Sequence, residues 1–138
     1  MKALYTATAT AHGGREGHVK SSDGVLDLDL RVPQGMGGPG GPYANPEMLF
    51  AAGYAACFEG ALRLVAGKTK KPLKDASITA SVTFNVTEDN RFVISVGLRG
   101  AIEGMSKDEA LTLMNAAHQV CPYSNATRNN VDVNLSVI

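Results

Sequence analysis

Two cysteines, Cys57 and Cys121, are the residues whose type invites covalent chemistry. A free thiol has a reference pKa of about 8.5, so only a few per cent is thiolate at neutral pH. A reactive Cys57 therefore needs a nearby cation or donated hydrogen bonds, because burial alone raises its pKa. Arginine suits that role, being permanently charged and able to bond a thiolate and a carboxylate together. Cys57 also fits a plainer description: it lies in the apolar stretch 48–58 and can pack as a small hydrophobe. Cys121 stands before Pro122, and His118, three residues earlier, could share a helix face with it. Two rival chemistries follow: a metal site from Cys57, His118 and Cys121, or a cysteine–histidine nucleophile. The metal reading is thin, with no CxxC and a single histidine at suitable spacing. The commonest role for a histidine such as His118 is a structural hydrogen bond. Sequence distance does not say whether the two cysteines meet.

Composition narrows the setting. The 138 residues are expected to form one domain, 1–138, and 44% hydrophobic content is enough to bury a core. Thirteen basic residues balance thirteen acidic ones, whereas a partner held by phosphate electrostatics calls for a basic surplus. The one basic cluster, Lys68 to Lys71, is short and beside Pro72, and reads as a solvated loop. The longest apolar stretch, 48–58, is about half the ~20 residues of a spanning helix, and the N-terminus lacks a signal-like apolar block. The expected location is the cytoplasm, where purely structural disulfides are rare.

The elements that must position the cysteines are legible in outline. Asn45-Pro46-Glu47 starts a helix, with Asn45 as cap, Pro46 in the first helical position and Glu47 where the dipole favours an anion. That helix is expected to run to about Ala66, closed by Gly67, and its apolar faces call for burial. Before it, the glycine- and proline-rich segment 33–46 suits neither helix nor regular strand and is a candidate functional loop. Residues 26–32 alternate as a half-wet strand, and 5–11 is a weaker strand ending at Gly13-Gly14. A hairpin pairs Ile78 to Val86 with Phe92 to Leu98 about a turn at Glu88-Asp89-Asn90. Ser106 and Glu109 form a capping box opening a second helix, whose apolar face holds Ala110, Leu113, Met114 and Ala117 and which stops at Cys121-Pro122. A last strand covers 131–137. The sum is α+β: antiparallel strands with two helices, one of them central.

Four segments carry a family resemblance: GGREGHV (13–19), SSDGVLDLDL (21–30), GGPGGPYANPEMLFAAGYAACF (37–58) and HQVCPYSNATRNNVDV (118–133). They closely resemble the organic hydroperoxide resistance (Ohr) branch of the Ohr/OsmC family; the hairpin between them is similar only in pattern. The resemblance implies antiparallel sheets wrapped around a central apolar helix and a second helix, in an intertwined homodimer. It implies a thiol-dependent peroxidase of oxidative-stress defence, acting on alkyl, aryl or fatty-acid hydroperoxides. Cys57, of the AACF motif, would attack the peroxide, and Cys121, of VCPYS, would resolve the sulfenic acid into an intramolecular disulfide. Arg15, of GGR, would stabilise the thiolate, and Glu47, of NPE, would position Arg15. No bound cofactor or metal is implied; the electron donor would be the lipoyl dithiol of a partner protein. Mild departures are Glu16, where the family often has Asp, and Pro42-Tyr43-Ala44, where a shorter connection is common.

The spacing adds one expectation. Glu47 and Cys57 are ten residues apart in one expected helix, which separates them by about 15 Å along its axis. One Arg15 side chain hardly bridges that span. The site is therefore expected to be assembled across a homodimer, with Arg15 and Glu47 from one chain and both cysteines from the other. The competing readings are an OsmC-like branch enzyme with another peroxide preference, a non-enzymatic binder of small apolar ligands, and a zinc module. The GGPGGP loop and the CPYSNATR segment favour the Ohr branch. Substrate contacts by His12, His18 or Tyr123 are not derivable from spacing.

Overall fold

Residues 1–70 and 72–138 are described by a computed structural model in which the chain divides into two compact units, Met1–Leu49 and Phe50–Ile138. Lys71, from the basic run read as a solvated loop, lies outside the described residues.

The first unit is a three-stranded antiparallel sheet of β1 (Ala9–His12), β2 (His18–Ser21) and β3 (Asp27–Asp29), in that order. Both outer strands are shorter than the alternation suggests. Residues 5–8 are not strand, and the 26–32 pattern yields only three strand residues before Leu30 makes a lone parallel bridge to Ala44. β2 had no signal of its own: HVKS is too short to show a period. Gly13 and Gly14 turn the chain with φ of +83° and +60°, and Arg15 follows in a single 3₁₀ turn, Gly14–Glu16. The 33–46 loop is irregular as expected, apart from a 3₁₀ turn at Gln34–Met36.

Helix α1 runs Pro46–Ala66 as expected. Asn45 caps it, its side-chain oxygen accepting from the Met48 amide at 2.8 Å. Gly67 ends it without adopting a left-handed φ. The expectation that α1 is buried all round needs correcting. Its buried residues, Tyr54, Phe58, Ala61, Leu62 and Ala66, form one stripe, while Met48 and Leu64 stay exposed. That stripe is the part of α1 that packs with Val96, Leu98, Leu113 and Met114. The whole helix also has the length and hydropathy of a membrane span (1.4), which the shorter 48–58 stretch understated.

In the second unit, β4 (Ala76–Val86) and β5 (Phe92–Ile102) form the expected hairpin, with Asn90 left-handed (φ +62°) in the turn. Ser106 caps α2 (Lys107–Val120) by accepting from the Glu109 amide at 3.2 Å. The buried residues of α2 are Ala110, Leu113, Met114 and Ala117, the face read from the sequence. The chain then makes a second, unforeseen helix, α3 (Pro122–Thr127), before β6 (Asp132–Val137). β6 pairs parallel to β5, not antiparallel, because two helices intervene and carry the chain back to the start of its neighbour. The α+β class stands, with three α-helices and one parallel strand pair among the described residues. Tyr54, Phe58 and Leu62 of α1 pack with Val96, Leu98 and Met114 in this unit's core.

A buried hydroxyl cluster pins α3 to α1. The Tyr54 hydroxyl bonds Ser124 Oγ at 2.8 Å and Thr127 Oγ1 at 3.0 Å, and His118 Nδ1 bonds the same Ser124 oxygen at 2.7 Å. Tyr54→Phe removes two of these bonds, while Ser124 keeps His118 and Thr127 keeps the Ser124 carbonyl. The expected loss is about 1–2 kcal/mol. It is read as a lower urea midpoint at unchanged slope.

Candidate functional site

The four residues singled out by sequence form two pairs. Arg15 sits in the 3₁₀ turn between β1 and β2, and Glu47 in the first turn of α1. They make a two-pronged pair, Arg15 Nη1 to Glu47 Oε2 at 2.8 Å and Nη2 to Oε1 at 2.6 Å. This fork-on-fork contact fixes the guanidinium plane as a single hydrogen bond cannot. The Glu47 side chain is 15% exposed and that of Arg15 34%, so the cation stays reachable while its anchor is largely covered. Arg15 holds the Glu47 carboxyl below the usual carboxylate range, and Glu47 raises the Arg15 pKa in return.

The second pair is Cys57 and Cys121. Both are free thiols, and the Cys121 thiol points at Cys57 Sγ across 3.6 Å. Cys57 is half-buried in the middle of α1, whereas Cys121 is fully buried at the junction of α2 and α3. Pro122 at the first position of α3 makes Cys121 both the end of one helix and the cap of the next. Burial pushes the Cys57 thiol above its ordinary pKa, and Cys121 adds to the rise. The backbone N–H of Tyr123 opposes this by donating to the Cys57 sulfur. Among the described residues of 50–138, Cys57 is thus a thiol with one built-in donor, still in want of a cation to ionise it at neutral pH.

Aromatic side chains surround this sulfur pair's elements. Tyr123 packs edge-on against Phe50, with ring centroids 6.2 Å apart, and lies tilted against Tyr54 at 5.6 Å. Gly53 makes room for it: a Cβ there would come within 2.8 Å of the Tyr123 hydroxyl and 3.2 Å of its ring. Phe50 and Cys57 pack against the same buried cluster, which includes Tyr54 and Phe58.

Sequence reasoning had left three roles each for Cys57 and His118. His118 proves structural: it bonds Ser124, and burial, with the nearby Arg128 charge, lowers its pKa and favours the neutral ring. Among the described residues no group of three His, Cys, Asp or Glu side chains is arranged to hold a metal ion. The Tyr123 amide and the Tyr54–Ser124–Thr127 cluster escaped sequence reading. Their only trace was the hydroxyl spacing in SNAT, which a short helix and a surface loop share.

Comparison with known proteins matches this chain to the family described as OsmC-like protein, over residues 38–136. An organic hydroperoxide resistance protein of Xanthomonas axonopodis pv. citri is 55% identical over 137 residues, 99% of this chain and 96% of that protein. Among solved structures, an organic hydroperoxide resistance protein OsmC from Legionella pneumophila is 54% identical, with a TM-score of 0.92 over 99% of this chain and 98% of that one. The organic hydroperoxide resistance protein OhrB of Bacillus subtilis is 47% identical, with a TM-score of 0.90 over 99% and 100% of the two chains.

Proposed function

The chain belongs to the OsmC-like family, in its organic hydroperoxide resistance branch, and from that premise we propose that it is a thiol peroxidase that reduces organic hydroperoxides. The observation that carries the reading is the Cys57–Cys121 pair, two free thiols 3.6 Å apart with one sulfur half-buried and the other buried. A metal module has no use for an isolated pair, and a passive binder has no use for facing thiols.

The chemistry follows from these positions. The Cys57 thiolate attacks the terminal oxygen of ROOH, breaking the O–O bond; the RO⁻ released takes a proton and leaves as the alcohol. Cys57 is left as a sulfenic acid. The Cys121 thiol attacks that sulfur, expelling the oxygen as water and closing a Cys57–Cys121 disulfide before further oxidation. An external dithiol restores both thiols by two exchange steps and becomes a disulfide itself. The atoms sum to ROOH plus dithiol giving ROH, water and disulfide. In keeping with the family, the dithiol is the lipoyl group of a partner protein and no cofactor is bound. The reaction is oxidative-stress defence in the cytoplasm.

Arg15 supplies the cation that Cys57 needs, held in line by Glu47, and can also bond the peroxide oxygens. α1 is one uninterrupted helix, so the ten residues between Glu47 and Cys57 still correspond to about 15 Å of axis. The reading therefore includes a homodimer in which Arg15 and Glu47 of one protomer serve the cysteines of its partner. The uncovered faces of α1 support it, since an apolar helix left half bare calls for a second chain.

Thiol titration tests the peroxidase. One equivalent of cumene hydroperoxide is expected to consume both thiols of the reduced protein, far faster than hydrogen peroxide does. Retention of both thiols would favour an apolar-ligand binder; protection lifted by a chelator would favour zinc.

A further inference from the structure

The turn that presents Arg15 is gripped by a histidine. His18 opens β2 directly after that turn, and its ring bridges two carboxylates of β3. Nδ1 meets Asp29 Oδ1 at 2.8 Å, and Nε2 meets Asp27 Oδ1. A ring with a carboxylate on each nitrogen is satisfied only as imidazolium, because both nitrogens must donate. Register gives the rest of its surroundings: His12 lies opposite on β1, and Lys20 follows on β2 opposite Asp27.

The grip reaches Arg15 through a neck with no slack. His12 and His18 are the last pair before the turn. A Cβ on Gly17 would stand 1.8 Å from the His12 carbonyl oxygen, and one on Gly13 would stand 2.9 Å from the Gly17 Cα. The Gly17 carbonyl accepts from the Leu30 amide at 2.8 Å, tying the neck to the chain beyond β3. Arg31 adds a brace by donating to the Glu16 carbonyl at 3.1 Å.

Building on the peroxidase reading above, we propose that His18 is a positioning residue: its protonated ring, clamped between Asp27 and Asp29, holds the turn that aims Arg15, and loss of the ring proton loosens that aim. The two carboxylates raise the pKa of His18 above its ordinary value of 6.5. The contribution is thus complete below that ordinary value and fades as the pH climbs through the raised one. The deprotonated ring donates from one nitrogen only and turns a lone pair toward the other carboxylate. Arg31 keeps the turn folded, so the effect is graded: a loss of at most about fivefold in rate, the ceiling for exposed ion pairs.

The test follows the His18 ring and the Arg15 Nε–H by NMR from pH 5.5 to 9.5, beside kcat/KM for an organic hydroperoxide. In the wild type, Arg15 Nε–H is expected to shift with the His18 midpoint, and kcat/KM to show a falling limb there. His18→Gln should lose both signatures. His18→Arg, permanently charged, should hold the turn throughout and show neither the shift nor the falling limb. An Arg15 signal indifferent to His18 titration, or a falling limb surviving in His18→Gln, overturns the proposal. Should His18→Gln fail to fold, the wild-type titration and His18→Arg decide alone. A wild type that consumes no peroxide sinks the peroxidase reading instead, while the NMR linkage stands or falls separately.

Discussion

With Cys57 replaced by serine, hydroperoxide reduction is expected to fall by roughly 10³-fold or more, the scale of losing an enzyme's nucleophile. A serine hydroxyl cannot ionise here and its oxygen does not form a stable adduct with peroxide. Cys121→Ser should behave differently. Its Cys57 still has the Tyr123 amide as donor, so the first equivalent of peroxide should be consumed at near wild-type rate. The sulfenic acid then has no partner across the 3.6 Å gap, and turnover should stop after one cycle. Stopped-flow consumption of cumene hydroperoxide, with dimedone trapping of the sulfenic acid, separates the two variants. Equal multiple-turnover rates in Cys121→Ser and wild type would remove Cys121 from the cycle. Rapid turnover in Cys57→Ser would remove the mechanism altogether.

Arg15→Ala is expected to cost roughly 10²–10³-fold in kcat/KM, the range for removing one preorganised electrostatic donor. The pH–rate profile should also move. Burial and Cys121 both push the Cys57 thiol upward, so without the guanidinium its ionisation should shift above the ordinary value of about 8.5. Arg15→Lys should recover only part of the loss, since an ammonium cannot reproduce the two-pronged contact with Glu47. Glu47→Gln should cost about tenfold, the equivalent of one charge-assisted hydrogen bond. The sign of the acid dependence follows from Glu47, whose pKa is depressed by Arg15. The pair is fully formed above the ordinary carboxylate pKa of about 4.3 and is lost as pH falls through the depressed one. Steady-state rates from pH 3.5 to 9.5 check all three variants. An unmoved profile in Arg15→Ala would place the activating cation elsewhere.

Local signals were enough for the elements that carry their own punctuation. Asn45-Pro46 and Ala66-Gly67 bracket α1, Ser106 and Glu109 open α2, and Asp89-Asn90 turns the β4–β5 hairpin, because each depends on residues within one helical turn or one loop. Cysteine chemistry was legible for the same reason: a thiol is reactive by type, and its need for a cation follows from its pKa. Other features depend on residues distant in sequence. α3 was hidden because six residues opening on a proline carry no periodicity, and it is tied down by the distant Tyr54 hydroxyl. The parallel seat of β6 is set by the crossover of α2 and α3, which no strand pattern encodes. β2 is held by neighbours on both sides, too short to declare itself. The meeting of Cys57 with Cys121, 64 positions apart, and of Arg15 with Glu47, 32 apart, is likewise a product of packing. Sequence alone determined which residues could react and where their helices begin. Tertiary structure decided which of them touch, because long-range contacts are fixed by how faces bury and not by the order of residues along the chain.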